Sequence, residues 1–170
     1  RGALAELDSA IRENPDLQYD LRDLCTQLYR SEAEKLLEEG DARGALTYYT
    51  RLNQVLKVSE SGEEVDPELL ATLHYKVGQA DYESRKFIAA RWHLDNAAWH
   101  YPEDAQFQMR LGVSRMYSGL YVSAETALSK ALELDSEMLQ ARLYRAYLNL
   151  RTVQAYDMAI AETMDLEVAY

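Results

Sequence analysis

The chain has 170 residues and a mass of 19.5 kDa, room for one ordinary domain or about five units of 34 residues. Lys and Arg total 18 against 29 Asp and Glu, a formal charge of −11, while 48% hydrophobic content excludes a disordered acidic tail. No apolar run exceeds four residues (Phe87 to Ala90, Met158 to Ala161), which excludes a membrane-spanning helix, and the single cysteine, Cys25, excludes an internal disulfide or a Cys-based zinc site.

Seven glycines and three prolines punctuate a sequence rich in Ala, Leu, Glu, Arg and Gln, strong helix formers with apolar residues three and four apart. Alternating β-branched runs with Asn-Gly or Asp-Gly turns are absent, so the expected fold class is all-α with short connections. Residues 1–15 carry Ala3, Leu7, Ala10 and Pro15, the second half of a pattern that recurs further on. In residues 16–58, Ala33, Ala45, Tyr49 and Leu52 show the same gaps, but Pro15 to Gly40 spans 25 residues where the later pattern has 17. The first helix there reads as about two turns too long. Residues 59–70 read as an acidic connection leading into a helix, with Asp66 as N-cap and Pro67 at the first helical position.

Residues 71–104 and 105–138 then match each other at a period of 34: Gly78 and Gly112, Phe87 and Tyr121, Ala90 and Ala124, Leu94 and Leu128, Ala97 and Ala131. Residues 139–170 form one more nearly complete unit, with one extra residue between Ala146 and Ala159. Acidity is concentrated at the start, where residues 1–70 carry 8 basic and 16 acidic groups, against 7 and 8 in residues 71–136. No long stretch is basic, which argues against tracking a nucleic-acid backbone or an acidic lipid surface.

The matched residues resemble the tetratricopeptide repeat (TPR), a 34-residue helix–turn–helix unit with the pattern W-x2-L-G-x2-Y…A-x3-F…P. The best unit runs from Leu111-Gly112 through Tyr121, Ala124, Leu128 and Ala131 to Ser136, and the unit before it carries Val77-Gly78, Phe87, Ala90, Leu94, Ala97 and Pro102. His74 and Gln108 replace the consensus Trp. The resemblance implies an α-solenoid of antiparallel helix pairs, a TPR superhelix, and a chain that starts and stops inside the array as an excised fragment. Small residues at 78, 90, 112 and 124 are expected where the two helices of a unit cross closely, with Phe87, Leu94, Tyr121 and Leu128 filling the space between adjacent pairs.

Nothing in the sequence assembles into a catalytic constellation, a cofactor site or a metal site. His93 and His100 lie seven residues apart on a helix, about 10 Å, too far to share a metal ion directly. His74 reads as a packed core residue in place of an aromatic, and Cys25 as a buried small hydrophobe. Gly-rich phosphate loops and nucleophile motifs are missing. The expectation is a non-catalytic protein–protein interaction scaffold.

The resemblance also implies a groove, lined by the first helix of each unit, that holds a partner segment. The groove positions are Tyr75, Gln79 and Tyr82 in one unit, Gln106, Met109, Val113, Met116 and Tyr117 in the next, and Leu143 and Tyr147 in the last. Two readings of these stay open: an amphipathic partner segment lies along Tyr75, Tyr82, Met109, Met116 and Tyr117, or some of these side chains pack against a facing helix or a neighbouring unit. The Lys and Asn with which chaperone-binding members clamp a terminal carboxylate are not at these positions.

Thirteen tyrosines against two phenylalanines suit contact with polar chains, including sugars, and 13 Arg against 5 Lys with irregular repeat lengths are similar to bacterial envelope proteins of exopolysaccharide export and pilus assembly. That similarity implies a periplasmic setting, recruitment of periplasmic partners and, as an alternative, contact with polysaccharide through tyrosine. Self-assembly through terminal helices is a third reading. The partner expected is another protein or a peptide segment, with no nucleic acid and no membrane insertion.

Overall fold

A computed structural model describes the backbone of residues 2–57 and 63–168, and the side chains of these except 3, 18, 19 and 154–168. The described residues form the helices α1 (Gly2–Glu13), α2 (Leu17–Asp20), α3 (Arg22–Glu38), α4 (Ala42–Lys57), α5 (Pro67–Glu83), α6 (Phe87–Ala97), α7 (Ala105–Tyr117), α8 (Tyr121–Leu134) and α9 (Leu139–Val168), with no strand among them. None of these helices is long and apolar enough to cross a membrane. Two compact units result, Arg1–Val77 and Gly78–Tyr170.

In the first unit α3 and α4 pack as a pair. The long first helix expected from Pro15 onward is broken at Leu21, whose φ of −103° and ψ of 23° leave helical geometry, so a single turn (α2) precedes α3. Cys25, Tyr29 and Ala33 from α3 meet Ala45, Tyr49 and Leu52 from α4 in one buried cluster, which Leu7 of α1 joins. Asp8 of α1 accepts hydrogen bonds from the Tyr29 hydroxyl (3.2 Å) and from Arg51, so α1 is tied to both helices of the pair. Burial, the nearby Asp8 charge and that hydrogen bond push the Tyr29 hydroxyl up to about 12. Residues 58–62 of the acidic connection lie outside the described residues. Beyond them, the Asp66 carboxylate accepts the Glu68 N–H at 3.0 Å and Pro67 opens α5.

In the second unit α6 packs beside α7, α7 pairs with α8, and α8 packs on α9. The small residues explain the close approach. A Cβ at Gly78 would lie 3.0 Å from the Leu94 Cγ, and one at Gly112 would lie 2.7 Å from the Leu128 Cγ. Leu94 and Leu128 therefore fill the inside of their own helix pairs. Phe87 does bridge to the following unit, its ring stacked on Tyr117 at 4.2 Å and 9°. Tyr121 instead stands at the surface.

Three turns between paired helices share one design. Gly40 N–H bonds Leu37 C=O and Asp41 N–H bonds Leu36 C=O; Arg85 and Lys86 do the same to Tyr82 and Asp81, and Gly119 and Leu120 to Met116 and Arg115. Each is a Schellman-type C-cap, which needs one left-handed residue. Those residues are Gly40 (φ 81°), Arg85 (φ 58°) and Gly119 (φ 78°). The corresponding position one repeat after Gly119 is Val153, a β-branched residue that disfavours that conformation. No glycine or proline occurs from 137 to 170. The helix pair expected over 139–170 is accordingly a single helix, Leu139–Val168.

Candidate functional site

The ten groove positions divide sharply by burial. Met109, Val113 and Met116 are at most 5% exposed and form core with Ala124, Leu128, Ala131, Met138 and Leu148. They are not groove-lining residues, and the expectation that Met109 and Met116 offer a contact surface is corrected. The reason is local. Between Ala105 and Tyr117 the only charged residues are Arg110 and Arg115, so α7 is apolar nearly all round and is covered by α6, α8 and α9. That near-absence of charge is the sequence signal that marks these positions as interior.

The remaining positions are accessible to different degrees. Tyr75 and Gln79 on α5 are half-buried, and Gln79 donates to the Glu83 carboxylate one turn on at 2.9 Å. Tyr82 is half-buried too. Its hydroxyl lies 3.6 Å from the Met109 sulfur and shares a hydrogen bond with Tyr144, while its ring meets the Phe87 ring edge-on at 5.6 Å. Burial, reinforced by Tyr144, pushes the Tyr82 hydroxyl up to about 12, which keeps it protonated at neutral pH. Tyr82, Phe87 and Tyr117 thus form a stack that passes from α5 through α6 to the end of α7. Gln106, Tyr117, Leu143 and Tyr147 are exposed.

The last unit's groove positions also include Leu150, and the structure adds Leu139, which sequence reasoning missed. Leu139, Leu143, Tyr147 and Leu150 follow one another at intervals of four, four and three residues, one stripe of the helix, and are 45–65% exposed. Ala141 and Leu148 on the opposite side are buried. Arg151 donates to the Tyr147 hydroxyl at 3.4 Å and holds that ring's edge in place.

Among the described residues the ionisable groups in the interior are few. Asp81 is buried with its Oδ2 4.0 Å from His93 Nε2. Burial pushes the Cys25 thiol up, away from the reactive thiolate. No group of three or more His, Cys, Asp or Glu side chains among the described residues is placed to hold a metal ion.

No family model matches the chain, and no curated protein sequence does. Its structure is similar to the C-terminal TPR-containing domain of a Plasmodium falciparum FK506-binding protein, with a TM-score of 0.52 at 14% identity over 79% of this chain and 92% of that one. Similarity also extends to the Arabidopsis OM64 TPR domain (TM-score 0.44, 16% identity, 75% of this chain and 96% of that one). A third similar structure is MamA from Desulfovibrio magneticus (TM-score 0.45, 18% identity, 86% and 97%). With helix pairs joined by recurring left-handed turns and glycines at the helix crossings, the chain has the fold of the tetratricopeptide-repeat superfamily.

Proposed function

We propose that the chain is a non-catalytic protein–protein interaction scaffold that receives a partner segment on the exposed face of α9. The observation that carries this reading is the exposed stripe Leu139, Leu143, Tyr147 and Leu150, backed by a buried face. A contiguous row of large apolar side chains in water on a well-packed helix marks an interaction surface. Each leucine covered by a partner contributes about 1–2 kcal/mol after its existing burial is discounted, and Tyr147 adds a rigid ring with a polar tip.

The finer reading is a segment of a bacterial envelope protein acting in exopolysaccharide export or pilus assembly, and it rests on the Arg-rich basic set and the irregular repeat lengths. A bacterial envelope extract is therefore the partner source to use. Immobilised wild type is expected to retain proteins that the L143S/Y147S variant, checked by circular dichroism, does not. Retention of the same proteins by both would sink the proposal. Self-assembly is the second reading, favoured by the same stripe. If light scattering shows concentration-dependent growth that L143S/Y147S abolishes, the occupant is a second copy.

A further inference from the structure

Helix α6 has two unlike faces. Ala90, Leu94 and Ala97 are buried, whereas Ile88 and Trp92 point outward and are 68% and 54% exposed, and Trp99 lies beyond the helix end. At its N-terminal end lies an open groove of about 750 Å³, walled by Phe87, Ile88, Trp92 and Tyr117 and rimmed by Arg85 and Lys86. Arg91 also reaches the groove, but its guanidinium is bonded to Asp95 at 3.1 Å. No carboxylate among the described residues lines it. In a chain of net charge −11 this is a locally cationic, apolar place.

Two features of the backbone reinforce the charge. Lys86 is the N-cap of α6 and makes no side-chain capping bond, and the first turn holds no acidic residue, so the positive end of the helix is not neutralised from within it. More telling is Arg85. It occupies the left-handed turn position that is glycine at 40 and at 119. A side chain there strains the backbone, and observed strain at a surface groove is a reason to look for a role for that side chain.

We propose that the groove at the start of α6 docks an acidic, apolar peptide segment of a partner protein, with a bulky side chain among Phe87, Ile88, Trp92 and Tyr117 and carboxylates facing Arg85 and Lys86. Charge complementarity selects the acidic residues. The apolar wall selects a peptide over a compact anion: Phe87, Ile88, Trp92 and Tyr117 offer a bulky side chain a place that a simple anion leaves uncovered. The site is separate from the α9 stripe and does not depend on it.

The test is a random-peptide display selection on immobilised wild type, with R85G, I88S and L143S alongside. R85G removes the cation while relaxing the turn, so loss of binding cannot be attributed to loss of fold. Peptides combining Asp or Glu with Leu, Ile or Phe are expected to be enriched. Their affinity, read from Trp92 fluorescence in a W99F background, should fall about threefold in R85G and about tenfold in I88S, and stay unchanged in L143S. Enrichment of neutral or basic peptides, no enrichment, or equal affinity for R85G and wild type overturns the proposal. So does a Trp92 response to decanoate with none to peptides, or self-association that I88S abolishes in the absence of peptide binding.

Discussion

Replacing Gly112 by alanine reverses the usual sign of that substitution. In an open helix interior the change stabilises by about 1 kcal/mol, because glycine loses more backbone freedom on folding. At Gly112 the new Cβ would sit 2.7 Å from the Leu128 Cγ, 3.1 Å from its Cδ2 and 3.1 Å from its backbone nitrogen. Neither the Cγ nor the nitrogen is the free end of a flexible chain, so α8 itself must move. It is held on that side by Ala124, Leu128 and Ala131, all fully buried. Overpacking that forces a backbone shift falls in the upper part of its range, about 2–3 kcal/mol, and outweighs the entropic gain of about 1 kcal/mol, for a net loss of about 1–2 kcal/mol. Urea denaturation followed by far-UV circular dichroism measures it. The mechanism has its own signature: L128A alone leaves a cavity and costs about 2–5 kcal/mol, but the added methyl of G112A occupies part of that space. The double variant should therefore lose clearly less than the two single losses combined. A raised midpoint for G112A, or strict additivity with L128A, would refute the close-crossing argument.

Gly119 isolates the backbone effect, since a Cβ there meets nothing within 4 Å while φ is 78°. G119A should cost about 1–2 kcal/mol through left-handed strain alone; a urea midpoint equal to wild type would show that the turn is not conformationally demanding. Tyr29 predicts an alkaline weakness. Its folded value, about 12, lies above the ordinary 10, so its contribution is fully present below pH 10 and is lost as pH rises towards 12. Over that window wild type should lose about 2–3 kcal/mol relative to Y29F. Parallel pH profiles for the two proteins would contradict the buried Tyr29–Asp8 arrangement.

Much of the fold is legible because the residues that enforce it are few in kind. Where two helices cross closely only a small side chain fits, so Gly78 and Gly112 betray the crossing points, and the alanines at 90 and 124 repeat at the same period. Where a chain reverses through a left-handed residue, glycine is favoured, so Gly40 and Gly119 betray the turns. Arg85 hides the middle turn from such a search, and the break at Leu21 has no glycine or proline to announce it. The candidate site was less legible. Met109, Val113 and Met116 occupy groove positions of the repeat, but the helix that carries them is walled in by α6, α8 and α9.

By itself, the sequence determined the helix content, the 34-residue period and the close crossings, because these depend on side-chain size and backbone freedom at individual positions. Only the tertiary structure decided which apolar residues face water. Exposure depends on what neighbouring helices cover: Met116 is buried and Tyr117, the next residue, is not. The last helix shows both sides of this division. Its lack of glycine and proline is written in the sequence, and so is the Val153 that replaces a turn residue. That Leu139, Leu143, Tyr147 and Leu150 then stand uncovered follows from the packing of Ala141 and Leu148 into the core, which leaves the opposite stripe in solvent.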